Sequence, residues 1–417
     1  MIENKETRVI AAQAVLAGLD NQKEVELSGW DKVTDCLEAA SVPYETGTDS
    51  NSALKKKHTF PGAVLLVGHK GQIVYHKAAG CRSILPSLSP MQTETVFDVS
   101  SLTKALITTT LTMQMVDKGQ LGIDSRLSRI FQTFGTLGKE RMSVRHLLTH
   151  SSGYPAVMPF YKLISRADKA ERWGIMTSRG AVEMVYSEIF RSKLEHVPGK
   201  VCTYSDVGFI LLGAILEVCS GGQTLDKLAI KNIFKPLNLK STGFIDISKV
   251  KRRGLAPISD VIAPTLECPW RARLLCGEVH DDNAWAMGGI AGHAGLFSTT
   301  TDVHQIAVEL INCYQGRGSL VTQDTIKKFW TRDNTVSGST WALGWDTPSA
   351  ENSSAGKLFS KSAVGHLGYT GCSIWIDPEK EIDIVLLSNR IHPNDQNLTI
   401  REFRPIIHDL VVEALGA

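Results

Sequence analysis

An unbroken apolar run, Ala63-Val64-Leu65-Leu66-Val67, has the length and branched content of a buried strand. After the turn His69-Lys70-Gly71-Gln72 it is answered by Ile73-Val74-Tyr75, which predicts a β-hairpin. Residues 103–118 change to helical length and composition and stop at Gly119, where a left-handed C′ glycine fits. Helical patterns then dominate from Leu121 to about Ala286, among them 209–218 and 225–234, broken by loops that contain Pro and Gly. A glycine-dense stretch, Gly288-Gly289-Ile290-Ala291-Gly292-His293-Ala294-Gly295, precedes a further helix over 302–314. Two more strands are predicted at 372–376 and 382–387 across the turn Asp377-Pro378-Glu379-Lys380, and a helix over 406–415 closes the chain. Strands near both ends with helices between imply a mixed α/β (α+β) fold, one sheet assembled from the two terminal regions with a helical domain inserted.

Upstream of the hairpin the pattern weakens. Residues 1–58 read as an N-terminal extension and linker, with one amphipathic helix over 30–40 and a polar stretch over 45–57 that ends in Lys55-Lys56-Lys57. Residues 59–417 read as one domain, with a sheet part of about 59–100 plus 288–417 and a helical part of about 101–287. At 417 residues and 43% hydrophobic, the chain can bury a large core, and a formal net charge of +2 gives no reason to expect nucleic acid as a partner. The first residues, Met1-Ile2-Glu3-Asn4-Lys5-Glu6, lack the basic start and apolar run of a secretory signal, and no later run is long enough to span a bilayer. The expectation is a cytoplasmic protein with no membrane partner. Eight cysteines occur without a C-x-x-C pair, so neither a zinc knuckle nor a redox dithiol is suggested.

Candidate chemistry changes this picture. A serine hydroxyl becomes a nucleophile when a neighbouring base takes its proton, and Ser-x-x-Lys on a helix puts the two side chains on one face. Four such pairs occur: Ser52/Lys55, Ser101/Lys104, Ser248/Lys251 and Ser354/Lys357. Ser101 alone stands between an apolar segment, Val96-Phe97-Asp98-Val99, and the start of a long helix, whose N-terminus favours negative charge at the serine. Tyr204-Ser205-Asp206 follows the loop Pro198-Gly199-Lys200 and precedes a helix; a phenol near a lysine ammonium can shuttle a proton. His366-Leu367-Gly368-Tyr369-Thr370-Gly371 enters a strand, where glycine-rich backbone lets a substrate lie close and offers N–H groups to an oxyanion. The segment His280-Asp281-Asp282-Asn283 with His293 has metal-ligand residue types but no metal-binding spacing, so no metal is expected, and His293 is placed beside the substrate.

Ser101-x-x-Lys104, Tyr204-x-Asp206 and His366-Leu367-Gly368, in this order, resemble the three motifs of the serine β-lactamase and penicillin-binding-protein superfamily. The stretches Phe97-Asp98-Val99-Ser100-Ser101, His146-Leu147-Leu148-Thr149-His150-Ser151-Ser152-Gly153, Pro236-Leu237-Asn238-Leu239 and Gly295-Leu296-Phe297-Ser298-Thr299 are similar to class C β-lactamase-like hydrolases and esterases, from about Phe60 to Ala417. The resemblance implies a β-lactamase/transpeptidase-like fold, an antiparallel sheet flanked by helices with the helical domain inserted. It also implies Ser101 as the residue acylated, Lys104 as its base, Tyr204 as proton donor to the leaving group, and the backbone N–H groups of Ser101 and Tyr369 as oxyanion hole. Asp206, His366, Gly368 and His293 would meet a small-molecule or short-peptide substrate, with no cofactor.

Two departures shape the expected activity. Asp206 stands where class C enzymes usually carry Asn, and it can ion-pair with Lys104 and hold it protonated. His366 stands where a permanent lysine cation usually meets a substrate carboxylate, and imidazole is mostly neutral at pH 7. The expectation is therefore an esterase-like hydrolase of esters or uncharged amides. A D-alanyl-D-alanine carboxypeptidase or β-lactamase, or a non-catalytic binding protein that keeps the fold, are the alternatives.

Overall fold

The computed structural model describes residues 28–44, 58–171, 174–254 and 259–417, so the stretch read as a linker at 45–57 lies outside the described residues. The principal sheet has six strands: β1 (Gly62–His69), β2 (Gln72–Ser83), β3 (Ser89–Pro90), β4 (Val364–Leu367), β5 (Ser373–Asp377) and β6 (Ile382–Ser388). Their spatial order is β3-β2-β1-β6-β5-β4, with every neighbouring pair antiparallel. The seam between the two ends of the chain is the β1–β6 ladder, which runs from Ala63 opposite Ser388 to His69 opposite Ile382.

Alternate residues of β1, β5 and β6 enter two different cores, which is why these strands read as largely apolar runs. Val64, Leu66, Ile374, Ile376, Val385 and Leu387 face a large cluster shared with the helices between the strand groups. Ala63, Leu65, Trp375, Ile384 and Leu386 face the opposite way, onto the helices Gly29–Ala39 and Ile400–Leu415. These two helices touch so closely that a Cβ at Gly29 would lie 2.7 Å from the Ala414 Cα. Trp30 stacks on Tyr75 of β2 at 5.1 Å between ring centroids, and Phe60 meets Phe403 edge-on at 5.2 Å.

The last helix starts at Ile400, earlier than the 406–415 expected, and runs through Pro405, with Phe403 buried just before the proline. The helix expected at 103–118 begins with a π-helical stretch, Lys104–Thr109, and continues as Thr110–Asp117. Gly119 follows with φ +67°, the left-handed conformation expected of a C′ glycine. A second sheet of three short strands, Phe97–Asp98, Leu296–Ser298 and Gly243–Phe244, fastens the segment before Ser101 to the chain after the glycine-dense stretch. No described helix is long and apolar enough to cross a membrane.

Gly365 of β4 has no room for a side chain, since a Cβ there would fall inside the Trp375 indole. Gly365→Ala is expected to destabilise the fold by about 1–3 kcal/mol through overpacking. Urea denaturation reads this directly, and an unchanged midpoint would contradict the packing account.

Candidate active site

Ser101 stands in the turn that leads into the Lys104–Thr109 segment, and the turn is built by its neighbours. Asp98 Oδ1 accepts the Ser100 N–H at 2.8 Å, and the Ser100 carbonyl accepts both the Thr103 N–H (3.1 Å) and the Thr103 hydroxyl (2.6 Å). Ser100 itself has φ +52°, a left-handed conformation that costs an L-residue energy and turns the chain sharply before Ser101. Gly368 supports this arrangement: a Cβ there would lie 2.7 Å from the Val99 carbonyl, so the glycine lets β4 approach the chain beside Ser101.

Lys104 is fully buried. Its Nζ lies 2.8 Å from Ser101 Oγ, 3.0 Å from the His293 carbonyl and 2.7 Å from Asp206 Oδ1, so an ammonium here has an acceptor for each N–H. Burial alone would lower the lysine pKa, but the Asp206 carboxylate, together with Tyr204, outweighs it and raises the pKa above the ordinary lysine value. In the free protein Lys104 is a cation.

Tyr204 reaches this group from the loop before the helix Asp206–Cys219, with the lysine Nζ 5.0 Å from its ring centroid. The residue is 38% exposed, and its phenol lies near enough to Lys104 and Ser101 for both to act on its charge. Burial raises the phenol pKa, Asp206 adds to the rise and Lys104 opposes it, and the net upward shift keeps the phenol protonated. The loop is pinned from behind by buried His150, whose Nδ1 accepts the Ser205 N–H at 3.0 Å and whose ring packs against Tyr204, Phe209 and Trp341. Accepting that bond makes Nδ1 the unprotonated nitrogen, and burial, then Lys104, holds His150 well below the ordinary histidine range.

His366 lies on β4, buried, with Nδ1 2.9 Å from the Leu367 carbonyl. That contact puts the proton of the neutral ring on Nδ1 and leaves Nε2 as a lone-pair acceptor, buried and without a partner among the described residues. Burial, reinforced by the nearby lysine cation, pushes the His366 pKa down to about 3, so the ring is neutral at any physiological pH. The third motif therefore places no cation in the cleft.

Of the two backbone donors, the Ser101 N–H has no hydrogen-bond partner among the described residues. The Tyr369 N–H donates to Ser100 Oγ at 3.3 Å. Tyr369 is held from its far end, with its hydroxyl on Asp395 at 2.6 Å and its ring stacked on His280 at 5.4 Å. His293, expected beside the substrate, is only 1% exposed. Its ring turns onto Asp281 at 2.9 Å, and its carbonyl is the part that reaches Lys104. Among the described residues no group of three or more His, Cys, Asp or Glu side chains is arranged to hold a metal ion.

Sequence reasoning did not single out Asp98, Ser100, His150 or Trp341. Ser100 and His150 lie within stretches noticed only for their likeness to other proteins, Asp98 was noticed only as part of the segment before Ser101, and Trp341 carried no signal. As a chemical unit, the site holds a serine hydroxyl, a buried amine that is charged at rest, a protonated phenol and two backbone N–H groups. Such a set can deliver a nucleophile to a carbonyl, take up and return its proton, and stabilise an oxyanion.

Comparison with known proteins adds the wider context. The Beta-lactamase family model matches residues 49–405. An Escherichia coli (strain K12) protein provisionally named D-alanyl-D-alanine carboxypeptidase is 32% identical over 356 residues, covering 80% of this chain and 79% of its own. The N-acetylmuramyl-L-alanine amidase of Bacillus subtilis (strain 168) is 31% identical over 358 residues, covering 80% of this chain and 78% of its own. Among solved structures, EstCE1, a hydrolase with promiscuous acyltransferase activity, superposes with a TM-score of 0.68 at 21% identity, over 91% of this chain and 98% of its own. That likeness shows the fold.

The electrostatics of Lys104 can be tested without turnover. Asp206→Asn removes the anion that overrides burial, so the Lys104 pKa is expected to fall by about one unit or more. NMR titration of carbon-13-labelled lysine, with Lys104→Met assigning the signal, checks this, and a pKa that stays put or rises would refute the pairing as its cause.

Proposed function

The chain belongs to the Beta-lactamase family, and on that premise we propose that it is a serine hydrolase that cleaves an ester or amide carrying no carboxylate through an acyl-Ser101 intermediate. The observation that carries this reading is the contact of Ser101 Oγ, 2.8 Å, with the Nζ of a fully buried lysine. In the proposed reaction Lys104 first loses its resting proton to solvent. The neutral amine then takes the proton of Ser101 as Oγ bonds the substrate carbonyl carbon, and the Ser101 and Tyr369 N–H groups receive the oxyanion. For the Tyr369 N–H this means exchanging Ser100 Oγ for the substrate oxygen. Tyr204, protonated at rest, hands its proton to the leaving oxygen or nitrogen and is reprotonated from Lys104. Water repeats the sequence on the acyl-enzyme, with the neutral Lys104 amine as the base and Tyr204 returning a proton to Ser101 Oγ.

The preference for esters and amides that carry no carboxylate rests on His366, a neutral ring where a carboxylate would need a cation. A second reading is favoured by the names of the relatives. The carboxypeptidase name would imply a D-alanyl-D-alanine peptide, which ends in a carboxylate, and the amidase name an amide of L-alanine.

A fluorophosphonate probe should add one equivalent of mass to the wild-type protein and none to Ser101→Ala. Short p-nitrophenyl esters should be turned over, and Ser101→Ala should lower kcat by roughly a thousandfold or more. A label that survives Ser101→Ala would remove this mechanism. Turnover of a chromogenic cephalosporin or a D-Ala-D-Ala peptide with no ester cleavage would favour the second reading.

A further inference from the structure

The groups that bear charge around Ser101 set a strong condition on the substrate. Every acceptor of the Lys104 ammonium is a protein group, so this cation has no donor left for an anionic ligand. The two arginines packed against the third motif are buried and donate to carbonyls, Arg390 to those of Tyr369, Asp395 and Asn397 and Arg404 to those of Gly368 and Cys372, and the Nε of each is buried without a partner among the described residues. His366 and His150 are neutral. A substrate carboxylate would lose its hydration here and find no cation in return.

Acceptors, in contrast, are left over. Lys104 is the only charged or hydrogen-bonding partner of the Asp206 carboxylate among the described residues, and the Asp206 side chain is 16% exposed. A carboxylate has about four lone-pair sites, so one lysine leaves most of them unfilled. Across the same group, His366 Nε2 is a buried lone pair with no partner among the described residues, on a ring 6.2 Å from that of Tyr204. An unfilled buried acceptor costs stability unless a ligand completes it.

Resting on the serine-hydrolase reading, we infer that the acyl group of the substrate carries a free ammonium, as in an amino acid or peptide ester or amide with an unblocked α-amine, which is recognised by Asp206 and His366. The ammonium donates to Asp206 and to His366 Nε2. Its charge also competes with Lys104 for the one carboxylate that keeps the lysine protonated. Occupation of the site therefore favours loss of the Lys104 proton to water, and the substrate itself produces the base that attacks it.

The test uses four anilides built on a three-carbon acyl group: D-alanine p-nitroanilide, L-alanine p-nitroanilide, propionyl p-nitroanilide and N-succinyl-alanine p-nitroanilide. In the wild-type protein, kcat/KM for one alanine enantiomer is expected to exceed that of the propionyl compound by roughly tenfold or more, from a charge-assisted hydrogen bond. The succinyl compound should be the poorest. In Asp206→Asn the alanine-to-propionyl ratio should fall to about one, a comparison within one variant that cancels any general loss of rate. A second measurement needs no turnover: alaninamide should slow fluorophosphonate labelling of the wild-type protein at concentrations where propionamide does not. A wild-type ratio near one, a preference that persists in Asp206→Asn, or equal protection by the two amides would overturn the inference. If Ser101 is labelled but no ammonium preference is found, the hydrolase reading stands without it; if Ser101 is not labelled, that reading fails instead.

Discussion

A lysine ammonium with no exposure to solvent has to find its charge partners inside the protein, and Lys104 finds them in three separate segments. One is its own turn at Ser101, one is the His293 carbonyl in the glycine-dense loop, and one is Asp206 at the start of a helix. Leaving such an ion unpaired costs about 3–5 kcal/mol, so the three segments are energetically tied to one another through it. The small residues around it are explained by the same requirement. Thr108 reaches the Gly292 carbonyl at 2.6 Å, and a Cβ at Gly213 would already lie 3.3 Å from the Gly292 backbone, so bulkier residues would push the loop off the lysine.

The same pairing defines the resting state. Lys104 is charged, and the Tyr369 N–H is occupied by Ser100 Oγ. In the proposed mechanism both the base and one oxyanion donor are thus withheld until a substrate arrives. The neutral histidines sharpen this: with His366 and His150 held uncharged by burial, the balance between Lys104 and Asp206 is an electrostatic variable that a ligand can shift.

How much of this was readable in the chain depended on the physics of each part. The central strands β1 and β6 are legible because both of their faces are buried, which removes polar interruptions from Val64 to Val67 and from Ile384 to Leu387. Ser101 was separable from three other Ser-x-x-Lys pairs only by its immediate surroundings and by the order of the Tyr204 and His366 motifs downstream of it. The two- and three-residue strands at Phe97–Asp98, Gly243–Phe244 and Leu296–Ser298 are too short to carry a period, yet they position the Ser101 turn. His150 acts through a backbone N–H 55 residues away, a relation that has no local signature. For His293 the residue was noticed but the wrong part of it, since its carbonyl rather than its ring meets the lysine.

Asp98 shows why such support is retained. Its carboxylate is buried and accepts the Ser100 N–H on one oxygen and the His280 N–H, at 2.6 Å, on the other. Burial raises its pKa to about 6 even though these two N–H groups pull the other way. A carboxyl raised above its unfolded value binds a proton more tightly in the native state. Its contribution to stability is therefore complete below about pH 4 and is lost as the pH rises through about 6. At neutral pH the ion is kept at a cost in stability. What that cost secures is geometric: an ionised carboxylate accepts strongly on both oxygens at once, whereas an amide would set its NH₂ against one of the two N–H groups. One oxygen fixes the strained turn in front of Ser101, and the other fixes His280, on which Tyr369 stacks. A single buried charge thus holds the two sides of the proposed oxyanion site against each other.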